Sequence, residues 1–99
     1  MKFNALVPEL SVSNIQTSKY FYLDILGFNL EYERIEDKFA FVSLENAQIM
    51  IEEINGHWNT DKLEYPLGRG VNFQLTIQDV NTLYQRLKFN NVKFFKCFI

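Results

Sequence analysis

A short motif occurs twice in this 99-residue chain, and the repeat constrains the fold more than any other feature of the sequence. Residues 9–15 read ELSVSNI and residues 74–80 read QLTIQDV, at an offset of 65 throughout. In each copy apolar and polar residues alternate, as in a strand, and the alternation ends at a residue suited to a helix N-cap, Asn14 or Asp79. Two strand–helix units at a fixed spacing predict two similar modules.

The first copy leads into a helix that ends at a glycine. Ser13 or Asn14 can cap its start, and Gln16 stands three residues after Ser13, as in a capping box. Gly27 can adopt the left-handed conformation that ends a helix. The aromatic stretch YFYLDILGF, residues 20–28, is then mostly the buried side of this helix. The positions with helical spacing are Ile15, Ser18, Phe21, Tyr22, Ile25 and Leu26.

Three strands are predicted after this helix, over residues 28–35, 38–44 and 48–54. Tight turns are predicted between these strands, at Glu36-Asp37 and Glu45-Asn46. Strands joined by such short turns form an antiparallel meander. Alternation places Phe28, Leu30 and Tyr32 on one face of the first strand. It also places Glu52 with Gln48 and Met50, opposite Ile49, Ile51 and Glu53.

The second module is predicted to be shorter than the first. Module one covers about residues 3–54, and residues 55–69, with Gly56, Pro66 and Gly68, form a linker. Module two starts near Gly70 with a strand, and its helix begins at Asp79 and stops at Asn90-Asn91, because Asn tolerates a left-handed conformation. One strand, residues 92–99, follows. The expected fold is α+β, with paired βαβββ modules and curled mixed sheets, the second incomplete at its C-terminus.

Composition excludes several classes of function. The net charge is −2 and the basic residues are scattered, which argues against a nucleic-acid partner. No apolar run has membrane length, and the start of the chain is not a signal peptide. Cys97 is the one cysteine, so no disulfide can form within the chain. We therefore expect a cytoplasmic protein.

The pattern resembles the glyoxalase, bleomycin-resistance and extradiol-dioxygenase superfamily, also called vicinal oxygen chelate proteins. Three stretches carry the resemblance: PELSVSNIQTSKYFYLDILGF, QIMIEE and FQLTIQDVNTLYQRL. The resemblance implies two modules whose sheets curl around one cleft. Enzymes of the superfamily bind a divalent metal there, through histidines of each first strand and glutamates of the last strands.

The metal ligands implied by the resemblance are largely missing here. Val7 and Asn72 stand at the two histidine positions, and neither is a good ligand. Glu52 stands at the first-module glutamate position. We therefore expect no metal, no cofactor and no catalytic residue, and the closest likeness is to the metal-free bleomycin-resistance branch.

The candidate ligand-binding residues are Glu52, Met50, Trp58, His57 and Tyr65. Glu52 is either a cleft carboxylate that meets a ligand or a solvated strand-end residue. His57 could act as a base or ligand, but it lies in a loop where surface exposure is common. Trp58 and Tyr65 either line a groove or hold the linker against the core. Cys97 has no nearby histidine to activate it.

These features predict non-catalytic binding of a small aromatic or cationic molecule, as in drug sequestration. The alternatives are a metal-dependent lyase or dioxygenase with a degenerate site, and a truncated remnant without a ligand. A homodimer is expected, because module two carries two of four strands and an open sheet edge recruits another strand. The apolar segment VKFFKCFI, residues 92–99, is the expected donor strand, and Phe39, Phe41, Phe73, Phe94 and Phe95 are assigned to the core.

Overall fold

A computed structural model describes residues 2–54 and 71–90 of the chain. Strand β1 (Glu9–Val12) leads into helix α1 (Ile15–Lys19), which continues as a π-helical segment (Tyr20–Ile25). Strands β2 (Asn29–Arg34), β3 (Phe39–Leu44) and β4 (Ala47–Glu53) follow. Helix α2 (Val80–Phe89) is the last described element. The α+β class and the strand–helix–three-strand order of module one are confirmed.

The four strands form one mixed sheet in the order β1-β4-β3-β2. β2, β3 and β4 pair antiparallel, as the predicted meander requires, and β1 lies parallel to β4. The connecting turns use residues with positive φ, Lys38 and Glu45, each at 51°. The strand bounds lie within one residue of those predicted, because turn residues and alternation are local signals.

The N-cap of helix α1 is one of the two residues that the sequence predicts. Asn14 is the N-cap, and its Oδ1 accepts a hydrogen bond from the Thr17 amide at 2.9 Å. The box between Ser13 and Gln16 is therefore not the one that forms. Gly27 ends the helical stretch at φ 86°, the left-handed conformation predicted for it.

The stretch that follows α1 is wider than an α-helix. The Leu26 amide donates to the Phe21 carbonyl at 2.9 Å, five residues back, as in a π-helix. Phe21 packs edge-to-face on Tyr22, and Tyr22 packs in the same way on Phe28. Phe28 is buried, whereas Phe21 is 38% exposed. The aromatic cluster therefore covers the end of the helical stretch, but not all of its rings are buried.

One core lies between the helical layer and the sheet. Alternate side chains of β3 and β4 fill it, together with the first residue of α1 and the residue after Gly27. They are Ile15, Phe28, Ala40, Val42, Ile49 and Ile51. Half-buried residues of β1 and of the helical stretch surround them, including Leu10, Val12, Leu23 and Leu26.

Residues 71–77 are not a strand, and the prediction of a strand starting near residue 70 is wrong for them. They alternate apolar and polar residues, but alternation does not supply a partner strand, and a strand needs one. Phe73 is 51% exposed, so its assignment to the core is also wrong. The Gln78 amide donates instead to both carboxylate oxygens of Glu45, at 2.9 and 3.1 Å.

Helix α2 starts where the sequence predicts. The carboxylate of its N-cap, Asp79, accepts from the Thr82 amide at 2.9 Å and from the Thr82 hydroxyl. The helix ends at Asn90, within the predicted stop, with a φ of −87° at that residue. Asn91, the other residue of the predicted stop, lies outside the described residues. The Asn90 side-chain amide donates to the Arg86 carbonyl at 2.8 Å and satisfies one of the last carbonyls.

Arg86 connects α2 to module one. Its Nε donates to the Ile25 carbonyl at 2.9 Å, and its terminal nitrogen donates to the Asp24 carbonyl at 2.7 Å. The guanidinium therefore caps the carbonyl end of the π-helical segment, where a cation is favoured. None of the described helices is long and apolar enough to cross a membrane. The predicted linker, residues 55–69, and the predicted last strand, 92–99, lie outside the described residues.

Candidate ligand-binding face

The sheet face opposite the helices is the candidate site, and we call it the open face. Cross-strand partners share a face, so the pairing register assigns its members. One row runs through Arg34, Phe39, Glu52 and Ser11. The next row runs through Tyr32, Phe41, Met50 and Glu9, and a third contains Ser43 and Gln48.

Aromatic rings form the centre of the open face. Tyr32 stacks on Phe41 with ring centroids 5.5 Å apart and an interplanar angle of 11°. Phe3 meets the same ring edge-on at 5.3 Å. Phe41 is fully buried and Phe39 is 4% exposed, so both belong to the core as predicted, but in a layer separate from the helix-side core.

A β-bulge in β2 brings Tyr32 onto this face. Leu30 pairs with Val42 and Tyr32 pairs with Phe41, so the register shifts by one between them. The prediction that Leu30 and Tyr32 share a face is therefore wrong, because an extra residue reverses the alternation beyond it. The extra residue, Glu31, accepts a hydrogen bond from the buried Ser43 hydroxyl.

The N-terminal segment is held across one end of the open face. Gln48 accepts from the Asn4 amide and donates to the Lys2 carbonyl, both at 2.7 Å. The Asn4 side chain also donates to the Asn46 carbonyl. These bonds fix the backbone on both sides of Phe3 and so position its ring against Phe41.

Arg34 stands at the other end of the aromatic centre. Its guanidinium carbon lies 4.0 Å from the centre of the Phe39 ring, and its Nε donates to Asp37 at 2.9 Å. The hydrogen bond to Asp37 raises the Arg34 pKa, so this cation is permanently charged and already paired.

Glu52 and Met50 lie half-buried on the open face, on the side of the strand that alternation predicted. Glu52 forms no hydrogen bond or ion pair in the described part of the chain, which leaves its carboxylate available. His57, Trp58 and Tyr65 lie outside the described residues. The predicted ligand-binding role of all five stays a prediction.

The neighbouring carboxylate, Glu53, serves the opposite face. Its Oε1 accepts from the Ile15 amide at 3.1 Å, and its Oε2 accepts from Lys38 at 3.0 Å. The pKa of Glu53 lies below its usual value, first because of the Ile15 amide and then because of Lys38. Two adjacent glutamates therefore differ in role: Glu53 stabilises the fold, and Glu52 is unengaged.

Val7, one of the two positions where the resemblance implies a histidine, comes two residues before β1. Extending the parallel register of β1 and β4 by two residues places Val7 beside Gln48 on the open face. Within residues 2–54 and 71–90, no group of three or more His, Cys, Asp and Glu side chains is placed to hold a metal ion. Val7 and Asn72 themselves offer no ligand atom of the expected kind.

A separate cavity of about 340 Å³ lies between the start of α1 and the β2–β3 hairpin. Two ion pairs border it, Lys19–Glu33 and Lys38–Glu53. This cavity could not be predicted from the sequence, because its residues come from four elements.

The sequence also did not indicate Phe3 or Tyr32 as site residues. The bulge that redirects Tyr32 has no glycine to mark it. Phe3 is positioned by hydrogen bonds between Gln48 and its neighbours Lys2 and Asn4, which span more than forty residues. Only the pairing register and the tertiary contacts reveal them.

No family model matches the chain, and no curated protein matches it. Several solved structures do match the chain. A member of the glyoxalase/bleomycin resistance protein/dioxygenase superfamily from Vibrio splendidus 12B01 is 40% identical over 81% of this chain, with a TM-score of 0.47. This chain spans 62% of the length of that protein.

Two further structures have higher TM-scores and lower identity. The fosfomycin resistance protein FosX from Listeria monocytogenes is 20% identical, with a TM-score of 0.58 over 94% of this chain and 70% of its own. An integron cassette protein from the Halifax Harbour sewage outfall metagenome is 18% identical, with a TM-score of 0.57 over 89% of this chain and 72% of its own. The chain therefore has the fold of these proteins.

Proposed function

We propose that the chain binds a small aromatic or cationic molecule on the open face and holds it without chemical conversion, like the bleomycin-resistance branch. The observation that carries this proposal is the unengaged carboxylate of Glu52 on the same sheet face as the ring of Tyr32. A ring and an anion on one rigid face suit a planar cation, since the ring provides stacking and the carboxylate provides charge.

The charges of the open face favour a cation. Among the described residues, Glu9, Glu31 and Glu52 bring three carboxylates to it, and the guanidinium of Arg34 is paired with Asp37. The net charge of −2 acts in the same direction at longer range. The contacts we propose are stacking on Tyr32, apolar contact with Met50 and an ion pair with Glu52, joined by the predicted groove residues His57, Trp58 and Tyr65.

A metal-dependent lyase or dioxygenase is the second candidate. One observation favours it: the E126Q mutant of FosX, which shares this fold at 19% identity, was solved with Mn(II) and a dihydroxypropylphosphonic acid. Val7 and Asn72 at the expected histidine positions favour the binding proposal instead. Elemental analysis separates the two, since a metal-dependent enzyme would carry one metal per chain that Glu52→Ala removes.

The binding proposal is tested by titrating the protein with ethidium, a planar aromatic cation. Trp58 is the one tryptophan in the sequence, so no second tryptophan contributes to the fluorescence that reports on the predicted groove. Ligand at about 100 times its Kd stabilises the folded state by about 2.7 kcal/mol, which a thermal shift detects. No saturable change in fluorescence or in melting temperature, for ethidium or other planar cations, would contradict the proposal.

The site is located with a matched pair of variants. Glu52→Gln removes the proposed counter-charge, and Glu36→Gln removes the same charge from an exposed residue in the β2–β3 turn. We expect Glu52→Gln to weaken ethidium binding about tenfold, or 1.4 kcal/mol, and Glu36→Gln to leave it unchanged. Equal losses of ethidium affinity in the two variants would show that binding depends on the net charge of the protein and not on Glu52.

A further inference from the structure

The cavity between the start of α1 and the β2–β3 hairpin lies outside the proposed ligand-binding contacts on the open face. Its volume of about 340 Å³ falls at the lower end of small-molecule sites. The start of α1 forms one wall and the hairpin the other. Because strands and a helix hold these walls, the cavity is part of the fold.

Cations outnumber carboxylates around the cavity. Lys19, Arg34 and Lys38 border it with Glu33 and Glu53. Arg34 is paired with Asp37 outside the lining, so Lys19 and Lys38 are the cations that a ligand could meet. The Lys19–Glu33 pair lies partly below the surface, with side chains 19% and 26% exposed, whereas the Lys38 side chain of the other pair is 59% exposed. Partial removal from water strengthens the attraction of Lys19 for an anion.

The hydrogen-bond inventory also favours an anion. Each ammonium group has three donors. Lys19 uses one on Glu33, and Lys38 uses one on Glu53. Glu53, in contrast, accepts with both oxygens, from the Ile15 amide and from Lys38. The unused hydrogen-bonding capacity around the cavity is therefore mainly that of donors.

We propose that this cavity is a second site, which binds a small oxyanion such as the phosphate or carboxylate group of a small molecule. Lys19 and Lys38 would donate their remaining N–H groups to it, while Glu33 and Glu53 hold the two ammonium groups in place.

The test is titration with inorganic phosphate at constant ionic strength, with chloride as the reference anion. Amide chemical shifts are the readout, since they locate the site as well as measuring the Kd. We expect saturable changes at Ile15, Lys19 and Lys38 with phosphate and none with chloride. The amides of Gln48 and Met50 on the open face should not move, so the outcome is independent of the proposed function.

Matched variants complete the test. Lys38→Gln should weaken phosphate binding about tenfold, or 1.4 kcal/mol. Lys88→Gln, the same change on α2 away from the cavity, should have no effect. Lys19→Gln is the second cavity variant and should also weaken binding, which guards against a loss peculiar to the Lys38 turn. Absence of saturation, equal losses in Lys38→Gln and Lys88→Gln, or shifts centred on the open face would each overturn the proposal. Acetate titrated in the same way distinguishes a carboxylate preference from a phosphate preference.

Discussion

At the scale of single residues, Gly27 meets two independent requirements. Its φ of 86° is a conformation that costs other residues energy, since their Cβ crowds the following carbonyl. A Cβ at this position would also lie 3.3 Å from the Arg86 guanidinium. The glycine therefore ends the first helix and lets Arg86 reach the carbonyls of Asp24 and Ile25.

Replacing Gly27 with alanine should lower the free energy of unfolding by about 1–2 kcal/mol, the cost of a left-handed alanine, with a further loss from crowding Arg86. Urea unfolding of the single variants Gly27→Ala and Arg86→Ala and of the double variant separates the two parts. The backbone part should persist in the Arg86→Ala background. A neutral Gly27→Ala variant would mean that the helix ends in another way.

Glu53 should make the stability depend on pH on the acidic side. Its folded-state pKa is lowered, so its contribution is present above the unfolded pKa, near the ordinary 4.5, and is lost as pH falls through the folded value. Between about pH 7 and about pH 3, wild type should therefore lose more stability than Glu53→Gln. Asp79, whose pKa is lowered by its bonds to Thr82, acts in the same window, so Asp79→Asn is the comparison variant. Parallel unfolding curves for wild type and Glu53→Gln across this range would contradict the assignment.

At the scale of elements, local signals determined what could be predicted. The caps Asn14 and Asp79, the stop at Gly27 and the turns of the meander each depend on a few neighbouring residues, and the structure confirms them. The bulge at Glu31 and the missing strand at 71–77 depend on what lies across the sheet, which alternation does not encode. Alternation along β4 likewise predicts that Glu52 and Met50 share a face, as the register shows, whereas the positions of Phe3 and Tyr32 required tertiary contacts. The ligand-binding role of Glu52 and Met50 stays a prediction.

The sheet has an aromatic layer on its open face, and this layer should contribute to stability as a core does. Phe41→Ala should lower the free energy of unfolding by about 3–5 kcal/mol, since it removes a fully buried ring. Phe89→Ala is the matched control, because Phe89 is 86% exposed and its loss should change stability by less than about 0.5 kcal/mol. Denaturant unfolding measures both. Similar values for the two variants would show that the open-face layer is not packed as described.

At the scale of the whole molecule, the described second-module residues are joined to module one by polar bonds. The Glu45 carboxylate accepts a hydrogen bond from the Gln78 amide, and Arg86 donates to a carbonyl at the end of the π-helical segment. Before Gln78, the side chains of Val71, Phe73 and Leu75 are each at least 39% exposed. No backbone–backbone hydrogen bond joins residues 71–77 to another described residue. An apolar segment without such bonds to the described residues is a surface on which another strand can add.

We propose that a second copy of the chain covers this segment, so that the protein is a homodimer. Light scattering at micromolar concentration should then give about twice 11.8 kDa. Phe73→Asp should shift the protein toward the monomer, whereas Ile35→Asp, the same change at a residue exposed in the β2–β3 turn, should not. A mass of 11.8 kDa that is unchanged on dilution would rule the dimer out.

The π-helical segment Tyr20–Ile25 has a consequence for how related chains should be compared. A π-helical turn holds more residues than an α-helical turn, so this stretch corresponds to an α-helix that has gained a residue. A related sequence with an ordinary α-helix here would align only with a gap inside the helix, where alignments normally avoid one. Placing that gap near Tyr22 would keep both the cap at Asn14 and the glycine at position 27 in register.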